Sequence, residues 1–150
     1  MNNRTILLVE DNSSDVLLTK RALEKVHVDN KLIVAEDGQE ALDYLFGKKE
    51  YIGRDIAELP TLILLDLKLP KVDGLEVLRS IRMNEKTRTL PVVILTSSKE
   101  EKDVSASYEL GANSYIQKPV NSAKFTEVMQ TLCLYWLVLN EPPPLSGRKL

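Results

Sequence analysis

The chain has 150 residues, 43% hydrophobic and 28% charged, which suits one globular domain and leaves little room for a second. Its formal charge of −2 offers no basic excess to neutralise phosphates, so nucleic acid is not an expected partner. No apolar run approaches the roughly 20 residues of a membrane span and the polar N-terminus lacks a signal-peptide core, so no membrane association is expected and the cytoplasm is the default compartment.

Short apolar runs then alternate with helical periodicity. Ile6, Leu7, Leu8 and Val9 predict a buried strand. Val16, Leu17, Ala22, Leu23 and Val26 recur at helical spacing over 15–26, with Asn12, Ser13 and Ser14 offering N-cap oxygens just before. A second strand is predicted at 32–35; after Asp37 and Gly38, a second helix is marked by Ala41, Leu42, Leu45 and Phe46. Residues 47–59 read as a long polar connection, and 62–65 as a third strand. Pro70 and Gly74 bracket a loop before a third helix that starts with Leu75, Leu78 and Ile81. Pro91 opens a fourth strand at 92–95, and a charged helix over about 99–110 stops at Gly111, a natural C-cap. A fifth strand spans 113–117, and a last helix over 121–139 is ended by Pro142, Pro143 and Pro144. The order is (βα)5. Near-continuous Val/Ile/Leu strands are those of a parallel sheet buried on both faces, and right-handed crossovers put helices on both sides. The fold class is α/β, doubly wound, and in such sheets sites form at the carboxyl ends of the strands.

Those ends carry the chemistry. Glu10 and Asp11 follow the first strand, Asp66 the third, Thr96 ends the fourth, and Lys118 and Pro119 follow the fifth. Any one of these read alone is a solvated loop residue; the joint pattern is harder to dismiss. Three carboxylates packed together repel, and at least one resists ionising without a cation. Mg²⁺ prefers oxygen ligands and commonly takes one or two carboxylates plus phosphate oxygens. It can bridge an Asp nucleophile and an incoming phosphoryl group. Thr96 can hydrogen-bond one phosphoryl oxygen, and Lys118 can pair with another as a point charge.

Glu10-Asp11, Leu64-Leu65-Asp66-Leu67, the loop from Leu69-Pro70 to Asp73-Gly74, Leu95-Thr96-Ser97 and Lys118-Pro119 closely resemble response-regulator receiver domains over about residues 5–139. The resemblance implies a flavodoxin-like strand order 2-1-3-4-5. It implies a receiver over residues 1–140 and a proline-containing tail over 141–150. It implies Mg²⁺ held by Glu10, Asp11, Asp66 and the backbone carbonyl of Lys68. Asp66 would be the phosphoacceptor, Thr96 the switch hydroxyl, Tyr115 the switch aromatic and Lys118 the phosphate partner. The implied function is that of a single-domain response regulator of a two-component phosphorelay, not an enzyme although it assists its own phosphorylation and dephosphorylation. Its donor would be a sensor histidine kinase. Residues 47–59, the run 66–70, Ala106-Ser107-Tyr108-Glu109-Leu110 and Tyr135-Trp136 look like the small response regulators paired with bacterial phytochromes, which implies a phytochrome-like kinase.

Competing chemistries fit less well. A haloacid-dehalogenase-type phosphohydrolase needs a second Asp two residues after the first, where this chain has Lys68. A flavodoxin needs a hydroxyl- and Gly-rich phosphate loop after strand one, where this chain has Glu10-Asp11. G-x-G-x-x-G and the Walker loop are absent. A scaffold that has lost phosphorylation would not keep all five central residues. Lys68 reads either as a group at the pocket mouth that affects dephosphorylation or as a solvated lysine. Asp15 reads as a first-turn dipole partner, His27 as a bystander, Cys133 as packing, and Gly38, Gly74 and Gly111 as turn and cap residues. The single cysteine excludes an internal disulfide. Two geometric expectations complete the reading. The resemblance implies that the Lys118–Pro119 bond is cis, which would aim the ammonium inward. Residues 132–139 are apolar at every position, whereas a surface helix needs only one apolar stripe. Either the proline tail over 142–145 folds back on it, or a homodimer forms through the fourth helix, fifth strand and fifth helix, coupled to phosphorylation.

Overall fold

The computed structural model describes residues 4–26 and 29–144. His27 lies outside them. Five parallel strands form one sheet in the order β2-β1-β3-β4-β5, with β1 at Arg4–Val9, β2 at Asn30–Ala35, β3 at Leu62–Leu65, β4 at Val92–Thr96 and β5 at Ser114–Gln117. The helices are α1 (Ser13–Glu24), α2 (Gly38–Phe46), α3 (Gly74–Met83), α4 (Glu101–Glu109) and α5 (Ser122–Leu134). The expected doubly wound architecture and strand order are therefore present.

The two-residue period of the strands divides the core. Leu7, Val9, Ile63, Leu65, Val92 and Ile94 face one buried cluster with Leu45 of α2 and Leu78 of α3. Ile6, Leu8, Leu62, Leu64, Val93 and Leu95 face the other, with Leu23 of α1 and Met129 of α5. The inner strands β3 and β4 are buried along their whole length because both their faces are covered, whereas the edge strands β2 and β5 are partly exposed and carry polar residues such as Lys31 and Gln117. Pairing sets Val9 beside Leu65 and Leu65 beside Ile94, so the residues that follow these strands emerge together at one edge.

Local chemistry starts the helices. Asn12, Asp37, Asp73 and Asn121 each accept a backbone N–H of the first turn that they precede. Gly111 follows α4 at φ +99°, as a C-terminal glycine should. Gly38 and Gly74 do something else. They open helices outside the left-handed region, and a Cβ on Gly74 would collide with the Asp66 carbonyl and the Leu67 Cα. On Gly38 it would collide with the Val72 backbone. Both are needed for close approach, not for turning.

The connection after α2 is more ordered than a polar stretch suggests. Lys49–Tyr51 makes a 3-10 turn. The Arg54 Nε donates to the Tyr44 carbonyl at 2.8 Å, and its guanidinium lies 4.0 Å from the Tyr44 ring centroid.

The chain's last helix changes type. After Leu134 it widens into a π-helical turn at Tyr135–Leu139, closed by the Asn140 N–H on the Tyr135 carbonyl at 2.7 Å. Leu132, Cys133 and Leu137 enter the core, whereas Leu134, Tyr135, Val138 and Leu139 stay 45–69% exposed. Residues 142–144 are exposed and do not cover them; Leu145 lies outside the described residues.

Candidate functional site

The carboxyl edge of the sheet brings Glu10, Asp66, Thr96 and Lys118 together. Backbone bonds fix their level: Glu10 N–H to Ala35 at 2.9 Å, Asp66 N–H to Val9 at 3.1 Å, and Lys118 N–H to Thr96 at 2.7 Å. Glu10 and Asp66 are buried and Asp11 is exposed, yet one oxygen of each lies within 4.8 Å of the others.

Lys118 lies across this cluster. Its ammonium is 2.7 Å from Glu10 Oε1, 2.8 Å from Asp15 Oδ2 and 2.9 Å from Asp66 Oδ2. Burial works to lower the Lys118 pKa, but the bonds to Asp15, Glu10 and Asp66 outweigh it and hold the value above that of an ordinary lysine. Burial also pushes the Glu10 carboxyl up to about 7; Lys118 opposes the rise and the Asp66 charge adds to it. Glu10 is thus a buried acid that a second cation would keep ionised.

The β3–α3 loop wraps the acceptor carboxylate. The Lys68 N–H donates to Asp66 Oδ1 at 3.3 Å, while the Lys68 side chain is exposed. The Gly74 N–H donates to the Leu67 carbonyl at 2.8 Å, and the Gly38 N–H to the Pro70 carbonyl at 3.3 Å. On the other side, Thr96 is fully buried and its Oγ accepts the Ser98 N–H at 3.4 Å. The Tyr115 hydroxyl donates to the Ser98 carbonyl at 2.9 Å, which ties β5 to the loop after Thr96. Ser98 Oγ donates to Asp103 Oδ2 at 2.5 Å and accepts the Glu100 N–H at 3.3 Å, so this short loop also anchors the start of α4.

Two expectations need correction. The Lys118–Pro119 bond is not cis; no cis peptide occurs among the described residues. The lysine stem is long enough to carry the ammonium to Glu10 and Asp66 from a trans backbone. Asp15 is in the first turn of α1, as expected, but it also ion-pairs with Lys118. Nothing in the linear pattern signals that contact, because it depends on how α1 packs against α5 on one face of the sheet.

Three hard carboxylate donors converging on a small volume suit a divalent cation better than any soft metal. Together with the ammonium at the cluster, this geometry defines a class: doubly wound α/β domains built to receive a phosphoryl group. Residues 6–130 match the response regulator receiver domain family, and the chain belongs to it. Response regulator Rcp1 of Synechocystis sp. is 42% identical over 134 residues, 89% of each chain. The crystal structure of its Mn²⁺-bound form has a TM-score of 0.88 at 40% identity, covering 94% of this chain and 99% of that one. The phosphorylated cyanobacterial phytochrome response regulator RcpA has a TM-score of 0.90 at 37% identity, covering 95% and 100%. The bacteriophytochrome response regulator AtBRR is 50% identical with a TM-score of 0.73, covering 94% and 100%. The chain is therefore a phosphoreceiver of two-component signalling. It is a regulator rather than a classical enzyme, with a divalent metal and a histidine kinase as its counterparts. No helix among the described residues is long and apolar enough to cross a membrane.

Proposed function

We propose that Asp66 is the side chain that receives the phosphoryl group, in a Mg²⁺-dependent reaction. One observation carries this. Asp66 follows the central strand, is 6% exposed, belongs to the acidic trio and lies 2.9 Å from the Lys118 ammonium. An Asp66 carboxylate oxygen forms the new O–P bond while the P–N bond to the donor histidine breaks, and the imidazole nitrogen leaves with the electron pair. Lys118 donates to one phosphoryl oxygen and Thr96 to another. The carboxylates of Glu10, Asp11 and Asp66 and the Lys68 carbonyl would hold Mg²⁺, which when bound neutralises charge on the transferring group. The exposed Lys68 side chain stands near the pocket mouth, where it affects the approach of the water that later removes the phosphate.

The switch runs through Thr96 and Tyr115. A phosphoryl group drawing on the Thr96 hydroxyl pulls on the loop whose Ser98 carbonyl already accepts from Tyr115, and so biases the face of α4, β5 and α5. The output is a protein contact. A homodimer on this face is supported by β5 being an edge strand, by the half-exposed Tyr135, and by the shallow groove of Ile116, Val128, Thr131 and Trp136 between them. Likeness to RcpA and AtBRR supports a phytochrome-like histidine kinase as donor. Residues 1–140 act as the receiver, 141–150 as a tail, and the cytoplasm is where a kinase's ATP is found.

The test is to incubate the protein with a small acyl phosphate and Mg²⁺ and weigh it intact. The parent should gain one phosphoryl group and Asp66→Asn none. An Asp66→Asn chain labelled as fast as the parent refutes the assignment. A phosphotransfer profile against the kinases of the source organism tests the donor.

A further inference from the structure

An ammonium has three N–H donors, and all three of those on Lys118 are accounted for by Glu10, Asp15 and Asp66. These partners differ in kind. Glu10 and Asp66 belong to the trio that can hold a cation; Asp15 does not. When a dication takes Glu10 and Asp66, it withdraws the charge that attracts Lys118 and repels the ammonium itself. Lys118 must nevertheless stay in the pocket to meet the phosphoryl oxygen.

We infer that Asp15 is a positioning residue: the reserved counter-ion that keeps Lys118 in place while a divalent cation occupies the other carboxylates. This rests on the reading of Asp66, Lys118 and the acidic trio given above. The geometry suits the role. The Asp15 side chain is only 20% exposed and that of Lys118 only 11%, so solvent screens their 2.8 Å contact weakly. The Asp15 backbone is held from both sides. Its N–H donates to Asn12 Oδ1 at 3.0 Å, and its carbonyl accepts the Thr19 hydroxyl at 2.8 Å. Thr19 is itself buried. The carboxylate is therefore presented from a hydrogen-bonded first turn of α1, directly after the loop that carries Glu10 and Asp11.

A helix-dipole role alone predicts a different outcome. An acidic residue in a first turn stabilises the helix whether or not metal is bound. A reserved counter-ion matters most when metal is present. The experiment follows the Lys118 side-chain ammonium by ¹⁵N NMR through a Mg²⁺ titration of the full chain, in the parent, Asp15→Asn, Asp15→Ala and Asp15→Glu. In the parent the ammonium signal should survive saturation with Mg²⁺. In Asp15→Asn and Asp15→Ala it should be present without Mg²⁺ and lost to exchange as Mg²⁺ saturates, with Asp15→Glu restoring it at least in part. Phosphorylation by a small acyl phosphate at saturating Mg²⁺ should slow about tenfold in Asp15→Asn, the loss expected for one charge-assisted contact. An Asp15→Asn chain that keeps both the signal and the parent rate overturns the proposal. So does a variant that merely melts earlier, by the same amount with and without Mg²⁺, with its signal intact. A parent that takes no phosphate overturns the Asp66 reading instead, and the Mg²⁺ titration still judges Asp15.

Discussion

Replacing Gly74 with alanine should disturb Asp66 from behind. Gly74 opens α3 outside the left-handed region, so alanine suits the backbone there. The added Cβ would fall on the Asp66 carbonyl oxygen and the Leu67 Cα, with the Asp66 carbonyl carbon 3.0 Å away. All three are backbone atoms, and no rotamer change relieves the contact. Overpacking of this kind costs about 1–3 kcal/mol. The helix-propensity gain offsets little, since the full ~1 kcal/mol applies to helix interiors rather than to a first position. A net loss of about 2 kcal/mol in a domain of this size lowers Tm by roughly 4–8 °C. Calorimetry measures that shift, and intact-mass phosphorylation well below Tm measures the second effect, a slower reaction from a displaced Asp66. Gly53→Ala is the control: its φ of +94° makes alanine strained, but nothing lies within 4 Å of the new Cβ. It should lose stability and keep the parent phosphorylation rate. A Gly74→Ala chain that melts with the parent and accepts phosphate at the parent rate refutes the reasoning.

Asp11→Asn should weaken Mg²⁺ binding by about tenfold, as expected for removing one charged ligand, with little loss of stability because Asp11 is exposed; calorimetric titration with Mg²⁺ checks it, and an unchanged affinity argues against the metal trio. Cys133 is fully buried and burial pushes its thiol up to about 12. It should resist iodoacetamide in the folded chain and react fully in urea. Its folded pKa lies above the unfolded value of about 8.5, so its contribution to stability is complete below that pH and is lost as pH climbs through about 12. Urea melts across alkaline pH read this slope. Tyr135→Glu places a charge on the half-exposed end of the last helix and should shift sedimentation from dimer to monomer over a wide concentration range; a parent that is monomeric throughout, with or without phosphate, removes the dimer.

Much of this protein is legible along the chain because its rules are local or periodic. The all-apolar runs at 62–65 and 92–95 require cover on both faces, which forces helices to both sides of a parallel sheet. That topology carries Glu10, Asp66, Thr96 and Lys118 to one edge. The caps Asn12, Asp37, Asp73 and Asn121 act within three residues of themselves and mark helix starts directly. Other features were decided only in three dimensions. The Asp15–Lys118 pair joins the start of α1 to the end of β5, and no spacing rule reaches across such a gap. Gly38 and Gly74 looked like turn residues, yet their lack of a Cβ serves the approach of a distant backbone. The π-turn at Tyr135–Leu139 decides which apolar side chains of residues 132–139 enter the core, and an unbroken apolar run carries no mark of where a helix widens. The reason is common to all three: sequence periodicity records which face of an element is buried, whereas the identity of the atoms that meet there depends on how whole elements pack.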